Sequence, residues 1–266
     1  MKNLLCLCYC LFVSGFLFAQ ECSVISHSHN DYEHKKPLYD ALSFRFRSVE
    51  ADVYSIGDSL FVAHDFDKIS AGRTLRSLYL EPLKEQIEKN NGSVYGDGKE
   101  FILLIDIKDD SIRSYELLDK ILEEYKACLC VCENGKKQKG PIMPVVSGNR
   151  PFQYMKNEQV RHAGYDGRID NLESGIPATL MPLVSDDWSS YFKWNGIGVM
   201  PKAEKKKLQE LAAKSKINGY LLRFWATPDQ TELQRKAVWS ELKKAGVSII
   251  GTDHLSELNV FLNSEN

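Results

Sequence analysis

The strongest constraint on the fold is an alternation of strand-like and helix-like segments, which repeats about eight times along the chain. The clearest strand is the nearly all-apolar run 101–107, a pattern typical of a strand covered on both faces of a parallel sheet. After a cap region at 109–111, apolar side chains recur at helical spacing through residues 112–125. Strands that alternate with helices in this way predict an α/β fold.

The number and spacing of these units favour one (β/α)₈ barrel, because no linker or break in composition interrupts them over about 245 residues. The predicted strands are residues 23–26, 48–54, 60–63, 101–107, 142–146, 181–185, 219–224 and 247–251. The predicted helices are residues 38–46, 75–89, 112–125, 202–214, 229–244 and 255–262. A doubly wound open sheet is the alternative, but no G-x-G-x-x-G follows the first strand, so its dinucleotide-binding form has no support.

The first twenty residues have the pattern of a secretory signal peptide. Lys2 supplies a positive charge before the apolar run 4–19, which ends in the small residue Ala19. The run is short for a membrane span, which needs about 20 apolar residues, and an uncleaved anchor helix is the alternative. We therefore expect residues 1–20 to be removed and residues 21–266 to form one exported domain without a stable membrane span, periplasmic or secreted.

Charge and cysteine patterns narrow the possible partners. Lys+Arg 34 against Asp+Glu 36 gives a net charge of −2, so no basic excess favours nucleic acid as the main partner. The period-two spacing of Cys128, Cys130 and Cys132 predicts a strand over 127–132 with three thiols on one face. A thiolate metal site is the alternative. A disulfide from this cluster, with Cys22 as a candidate partner, suits an oxidising compartment.

Carboxylates cluster at the predicted carboxyl ends of the strands, where the active site of a barrel lies. Glu50 and Asp52 share one face of a strand, and Asp106 lies near the end of the next main strand. These carboxylates would repel one another, and a hard divalent cation removes that repulsion. Glu50, Asp52 and Asp106 therefore predict a site for Mg²⁺ or Ca²⁺. The alternative is that Arg or Lys side chains hold them in structural ion pairs.

Two histidines flank the carboxylate strand. His27 follows the first predicted strand, and His64 follows the short strand 60–63. Because imidazole titrates near neutral pH, one ring can accept a proton while the other donates one, an arrangement suited to phosphodiester cleavage beside a metal. His29 faces the same way as His27 if the strand continues, so either can be the catalytic residue. The length of the preceding strand favours His27.

Further along the chain, Arg223 and Trp225 are candidate substrate contacts. A guanidinium group suits a phosphate, and an indole ring can form an apolar wall for a head group, although ordinary packing or an ion pair is the alternative for both. Asp253 is a candidate supporting residue near the last strand. His34 and His162 lie in polar, loop-like stretches and are predicted to be solvated.

The order of these motifs resembles the glycerophosphodiester phosphodiesterase and phosphatidylinositol-phospholipase-C-like superfamily. A poorly characterised bacterial and fungal branch is most similar, through the segments HSHNDYEHKKPLYDAL, SVEADVY, LFVAHD, RFWATPD and IIGTDHLSEL. The resemblance implies a (β/α)₈ barrel and a small-molecule or lipid-head-group phosphodiester as substrate, attacked by water or by a neighbouring hydroxyl. It also implies site residues: catalytic His27 and His64, metal ligands Glu50, Asp52 and Asp106 for Mg²⁺ or Ca²⁺, and substrate contacts from His29 and Lys108.

Two other function classes stay open. His27 and His29 form an H-x-H on the first strand, as in zinc-dependent amidohydrolase and polymerase-histidinol-phosphatase-like barrels, where both histidines bind metal. Those barrels need further histidines on middle strands, and between Asp65 and Asp253 this chain offers only His162. The other class is a non-catalytic secreted barrel that binds a glycan, a lipid head group or a host protein.

Overall fold

The computed structural model describes residues 24–264, so the predicted signal peptide and Cys22 lie outside the described residues. The strands are β1 (Ile25–Ser28), β2 (Ser48–Ile56), β3 (Ser59–Val62), β4 (Phe101–Ile107), β5 (Val131–Glu133), β6 (Lys136–Gln138), β7 (Ile142–Gly148), β8 (Val160–Arg161), β9 (Gly164–Gly167), β10 (Leu183–Asp187), β11 (Leu221–Trp225) and β12 (Ile249–Thr252). The helices are α1 (Tyr39–Ser43), α2 (Glu81–Lys89), α3 (Ser111–Glu123), α4 (Phe152–Asn157), α5 (Trp188–Tyr191), α6 (Lys202–Ile217), α7 (Glu232–Ala245) and α8 (Leu255–Ser264). None of these helices is long and apolar enough to cross a membrane.

Eight of the strands close into a parallel barrel in the order β1, β2, β4, β7, β9, β10, β11 and β12. Strand β1 pairs with β2 on one side and with β12 on the other, and this double pairing closes the ring. The predicted (β/α)₈ barrel is therefore confirmed, and the open doubly wound sheet is excluded. Strand β3 pairs only with β2, as an antiparallel hairpin outside the ring.

Side-chain alternation along the strands separates an inner from an outer layer. In β4, Ile102 and Leu104 belong to a small apolar cluster of their own, whereas the intervening Leu103 belongs to the large core that includes the surrounding helices. Asp106 continues the row of Ile102 and Leu104 at the carboxyl end of the strand, and Arg223 holds the corresponding place after Leu221 in β11. The barrel interior is thus apolar toward the amino ends of the strands and polar at their carboxyl ends.

The predicted strands and helices all overlap observed elements, but one barrel strand was missed. Strand β9 has the sequence Gly-Tyr-Asp-Gly, whose two glycines and lack of an apolar run give no strand signal. Between β9 and β10 the described chain has only a 3₁₀ turn, Ile169–Asn171, in place of a crossover helix. The outer helical layer is therefore incomplete on this side of the barrel.

The prediction of one cysteine-bearing strand over 127–132 was wrong. The chain instead forms a 3₁₀ turn, Lys126–Cys128, and β5 begins only at Val131. The start of β5 is set by its pairing with β6 and β8 in a small antiparallel sheet. The thiols of Cys128, Cys130 and Cys132 are free. No disulfide therefore joins these three to one another, and Cys22 lies outside the described residues.

Candidate active site

A cavity of about 300 Å³ opens at the carboxyl end of the barrel. Its lining residues are His29, Asn30, Glu50, His64, Asp106, Lys108, Ser147, Arg168, Arg223 and Trp225. All of them except Trp225 are polar or charged, and seven of the nine residues predicted from the sequence are among them. A larger cavity of about 360 Å³ lies beside Arg161 and Phe152. We place the site at the smaller cavity because the carboxylates and histidines converge there.

The three predicted metal ligands come together on adjacent strands. Asp52 of β2 lies directly opposite Asp106 of β4 in the parallel register, and Glu50 lies two residues before Asp52 on the same face. One carboxylate oxygen from each of the three lies within 4.8 Å of the others. Oδ1 of Asp52 is buried and has no hydrogen-bond partner among the described residues. This donor set and its unpartnered oxygen fit a hard cation such as Mg²⁺ or Ca²⁺.

Positively charged side chains of the protein offset the negative charge of the three carboxylates only in part. Oε2 of Glu50 accepts from Arg223 at 2.8 Å and from His27 at 3.1 Å. Burial would raise the pKa of Glu50, but these two partners hold it well below its usual range. Lys108 Nζ lies 2.9 Å from Asp52 and 3.2 Å from Asp106. Burial nevertheless raises the pKa of Asp106 to about 6 against the effect of Lys108, and the charges of Asp52 and Glu50 add to the rise.

Two histidines at the cavity are each held by a carboxylate through Nδ1. His64 Nδ1 lies 3.1 Å from Oδ2 of Asp52, and His29 Nδ1 lies 2.9 Å from Oδ1 of Asp253. Since an ionised carboxylate only accepts hydrogen bonds, both neutral rings carry their proton on Nδ1 and keep a lone pair on Nε2. Burial lowers the pKa of His29, but the bond to Asp253 and the charge of Glu50 outweigh it and raise this pKa.

His27 occupies a different environment from its neighbour His29. Its side chain is 1 % exposed, with Nδ1 2.7 Å from the Ser48 hydroxyl and Nε2 3.1 Å from Glu50. Burial, together with the charge of Arg223, lowers the pKa of His27 to about 4, so the ring is neutral at pH 7. His27, which the sequence favoured as the catalytic histidine, does not line the cavity. Strand β1 ends at Ser28. His29 therefore lies at the cavity, and His27 lies two residues earlier, inside the barrel.

Tyr32 contributes to the site in a way that the sequence did not predict. Its hydroxyl donates to Asp52 Oδ2 at 2.6 Å and lies 3.1 Å from His64 Nδ1. The ring is almost fully buried in the turn after β1, next to Asn30, which lines the cavity. Tyr32 therefore helps to fix both Asp52 and His64. In the sequence, Tyr32 is connected with the site only because it lies in the segment that follows the first predicted strand.

Arg168 is the second missed residue. Its guanidinium lines the cavity and lies 3.0 Å from Asp166, a fully buried carboxylate that also accepts from the hydroxyls of Ser147 and Ser185. Arg168 directly follows β9, the strand that lacked a sequence signal, so no predicted strand end pointed to it. The network gives the cavity a positive group whose position is set by three neighbouring strands.

Two histidines predicted to be solvated are not. His162 is 5 % exposed, with Nδ1 2.8 Å from Asp119, because β8 and the following chain pack against α3. His34 is partly buried, and its Nε2 is enclosed. Neither lies at the cavity. Among residues 24–264, the one grouping of three metal-ligating side chains is Glu50, Asp52 and Asp106, and neither histidine of the H-x-H belongs to it.

Gly148 lies at the carboxyl end of β7. Because it has no side chain, it leaves room for the Asp106 carboxylate. Its φ of +67° is readily adopted by glycine, and a Cβ there would overlap Asp106 Oδ1 and the carbonyl oxygen of Ile107. Gly148→Ala is expected to displace the Asp106 carboxylate and to lower turnover of a phosphodiester at least tenfold, a loss of about 1.4 kcal/mol in transition-state stabilisation. Steady-state assays over a series of Mg²⁺ and Ca²⁺ concentrations measure this effect.

Gly57→Ala is the matched control for Gly148→Ala. Gly57 also has a positive φ, +58°, but a Cβ there meets nothing within 4 Å. Both substitutions carry the strain of a left-handed backbone, about 1 kcal/mol, and only Gly148→Ala reaches the carboxylate cluster. Equal activity losses in the two variants would show that backbone strain, rather than displacement of Asp106, causes the effect.

The closed parallel barrel places the protein in the class of phosphatidylinositol-phospholipase-C-like folds. A calcium-dependent phosphoinositol-specific phospholipase C from Pseudomonas sp. has a similar fold, with a TM-score of 0.58 over 88 % of this chain and 89 % of that one at 12 % identity. Phosphatidylinositol-specific phospholipase C from Listeria monocytogenes gives a TM-score of 0.53 over 92 % and 94 %, also at 12 % identity.

The chain belongs to the AIM6-like phosphodiesterase family, whose domain model matches residues 17–166. A similar protein is the altered inheritance of mitochondria protein 6 homolog of Arthroderma benhamiae, 26 % identical over 86 % of this chain and 81 % of its own length. Altered inheritance of mitochondria protein 6 of Kluyveromyces lactis is 27 % identical over 88 % of this chain and 71 % of its own length. The predicted superfamily membership, including the fungal branch, is thus confirmed.

Proposed function

We propose that this protein is an exported phosphodiesterase that requires Mg²⁺ or Ca²⁺ and uses His29 and His64 as its proton-transfer pair. One observation carries the proposal: two carboxylate-held imidazoles and a three-carboxylate cluster meet at the same cavity. The phosphodiesterase description of the family supports the reaction class. The calcium dependence of the Pseudomonas enzyme with a similar fold supports the metal requirement.

Glu50, Asp52 and Asp106 are the residues that would hold the metal ion. When bound, a divalent cation there supplies positive charge that offsets the negative charge developing on the phosphoryl oxygens. Lys108 and Arg168 add positive groups to the lining of the same cavity. The polar lining accommodates a small hydroxylated head group, as in a glycerophosphodiester or a phospholipid, with Trp225 as its apolar side.

The two histidines transfer the protons of the reaction. One neutral imidazole accepts the proton of the attacking hydroxyl at Nε2, while its Nδ1–H stays bonded to Asp253 or Asp52. The other imidazole, protonated, donates from Nε2 to the leaving oxygen. As the new P–O bond forms, the P–O bond to the leaving alcohol breaks. Attack by water yields a phosphomonoester and an alcohol, and attack by a neighbouring substrate hydroxyl yields a cyclic phosphate.

The test is hydrolysis of bis(p-nitrophenyl) phosphate and of a panel of glycerophosphodiesters and phosphatidylinositol. The purified protein is assayed with EDTA and after addition of Mg²⁺, Ca²⁺ or Zn²⁺, beside His64→Ala and Glu50→Ala. We expect activity that EDTA removes, that Mg²⁺ or Ca²⁺ restores, and that both variants lose. No hydrolysis of any substrate with any metal would overturn the proposal and favour a binding role.

Export is proposed from the apolar run 4–19 alone. N-terminal sequencing of the protein recovered from the periplasm or the culture medium tests it. A mature chain that begins directly after Ala19 or Gln20 is the expected result, and a chain that keeps Met1 and stays with the membrane fraction would contradict it.

A further inference from the structure

The cavity of about 360 Å³ lies where the outer helical layer is incomplete. Its lining comes from α4, from β8, from the turn between β5 and β6, and from segment 174–180, which is part of the connection between β9 and β10. We call it the flank cavity. It shares no lining residue with the cavity at the carboxyl end of the barrel. Its volume falls in the range of small-molecule sites, about 300–1,000 Å³.

Arg161 places a buried positive charge at the flank cavity. The residue is 5 % exposed, and arginine keeps its charge in proteins. Its Nη1 and Nη2 donate to the carbonyl oxygens of Met155 at 3.2 Å and Thr179 at 2.7 Å. Its Nε is enclosed without a hydrogen-bond partner, and the guanidinium forms no ion pair with any residue in the described range 24–264. Because a buried charge without a counter-charge is costly, an anion in the cavity would stabilise it.

The charged groups around Arg161 leave the flank cavity positive. Lys156 lines it from α4, is exposed and has no carboxylate partner in the part of the chain that the structure describes. Glu158 is the one acidic residue of the lining. Two positive groups against one negative group leave a net charge of +1 on the lining, even when Glu158 is fully ionised. Glu173, directly before the lining, is offset by Lys214 at 2.5 Å.

The ionisation of Glu158 changes near neutral pH. Burial raises the pKa of Glu158 to about 7, and the charge of Asp119 adds to the rise. The hydrogen bond from the Tyr115 hydroxyl, at 2.7 Å, and the charges of Arg161 and His162 act in the opposite direction. Protonation of Glu158 removes the one negative charge from the lining. The affinity of the flank cavity for an anion is therefore expected to rise as the pH falls through about 7.

The remaining large side chains of the lining are apolar: Phe152, Ile176, Pro177 and Leu180. Leu180 belongs to the large core of the barrel, and Phe152 and Ile176 pack against that core. The apolar wall is therefore held in place by the fold. A mostly apolar wall with a few charged groups is the usual lining of a site for a small organic molecule. An apolar wall beside a buried guanidinium suits an anion that carries an apolar chain.

We propose that the flank cavity binds a small organic monocarboxylate with an apolar chain. The carboxylate lies beside the guanidinium of Arg161, and the chain lies against Phe152, Ile176 and Leu180. A single negative charge matches the net charge of the lining, which favours a carboxylate over a dianionic phosphate. Binding at the flank cavity requires neither metal nor turnover, so the proposal is independent of the phosphodiesterase activity proposed for the other cavity.

The test is isothermal titration calorimetry of the full protein with octanoate at pH 6 and pH 8, in EDTA so that metal binding does not contribute. We expect saturable binding of one octanoate per chain, with the higher affinity at pH 6. Octan-1-ol has the same chain without the charge and is expected to bind at least tenfold more weakly. Butanoate is four methylene groups shorter and is expected to bind about a hundredfold more weakly than octanoate.

Two variants of the lining change the affinity in opposite directions. Arg161→Gln is expected to weaken octanoate binding at least tenfold at both pH values, with a melting temperature measured on the same preparation. Glu158→Gln is expected to tighten binding about fivefold at pH 8 and to leave it nearly unchanged at pH 6. The glutamine amide oxygen can still accept from Tyr115, and partial unfolding cannot produce a gain in affinity. Glu158→Gln therefore tests the proposal even if Arg161→Gln fails to fold.

Lys156→Gln is expected to weaken octanoate binding about threefold. Its matched control is Lys36→Gln, since Lys36 is an exposed lysine after β1, the strand opposite β9 in the ring. Lys36→Gln should leave the affinity unchanged, and so should Lys108→Gln in the other cavity. Three outcomes would overturn the proposal. Octanoate does not bind saturably at pH 6, or Lys108→Gln weakens binding as much as Arg161→Gln does, or Glu158→Gln leaves the affinity at pH 8 unchanged.

Discussion

Replacing His29 with glutamine is expected to lower kcat/KM for a phosphodiester by about 10²–10⁴-fold, the usual contribution of a general acid or base. The melting temperature should change little, because the His29 side chain is 34 % exposed and its one hydrogen bond to a side chain among the described residues is to Asp253. The amide of glutamine can donate to Asp253 but cannot take up or release a proton. Steady-state kinetics and thermal unfolding of the same preparation measure both effects.

His27→Gln is the matched comparison, and the opposite pattern is expected. The glutamine amide can still donate to Glu50, and no proton transfer depends on this position, so measurable turnover should persist. His27→Ala, in contrast, removes the partner of the Ser48 hydroxyl, leaves Glu50 with Arg223 alone and opens a cavity, at a cost of about 2–4 kcal/mol in the free energy of unfolding. A folded, inactive His27→Gln beside an active His29→Gln would restore His27 as the catalytic residue.

The contrast between these two histidines shows what the sequence could not decide. Both lie on one face of the chain, so alternation alone cannot choose between them. The choice depends on where β1 ends, and the observed Ile25–Ser28 lies two residues beyond the predicted 23–26. That boundary follows from pairing with β12 and β2, which is tertiary information. A shift of two residues moves one imidazole from the cavity to the barrel interior.

The carboxylate cluster could be predicted because two local patterns were enough. The apolar residues on either side of Glu50 and Asp52 indicate a strand with a polar inner face, and the apolar run before Asp106 indicates a buried parallel strand. Arg168 could not be found in this way. Its strand, β9, consists of glycine, tyrosine and aspartate. This segment is a strand because it pairs with β7 and β10, and its own sequence does not indicate that pairing.

Adding Ca²⁺ or Mg²⁺ to the metal-free protein is expected to raise its melting temperature by about 5–10 °C at a concentration near 100 times the Kd. Binding to the folded state alone contributes about 2.7 kcal/mol under those conditions, and a domain of this size shifts by about 2–4 °C per kcal/mol. Asp106→Asn removes one of the three carboxylates and should abolish most of this shift. Asp58→Asn, at the exposed turn between β2 and β3, is the matched control and should keep it.

A variant of Lys108 separates a metal site from a cluster of structural ion pairs. Lys108 already pairs with Asp52 and Asp106, and a cluster of ion pairs alone would need no other cation. The two interpretations predict opposite effects of Lys108→Gln on metal response. If the carboxylates hold a metal, removal of the competing ammonium increases the affinity for Ca²⁺ or Mg²⁺, and the shift in melting temperature appears at a lower concentration. If they form ion pairs only, Lys108→Gln lowers the melting temperature and neither ion restores it, since a buried carboxylate that loses its partner is costly to leave uncompensated. The unpartnered Oδ1 of Asp52 shows that Lys108 does not satisfy every carboxylate oxygen of the cluster, which favours the metal.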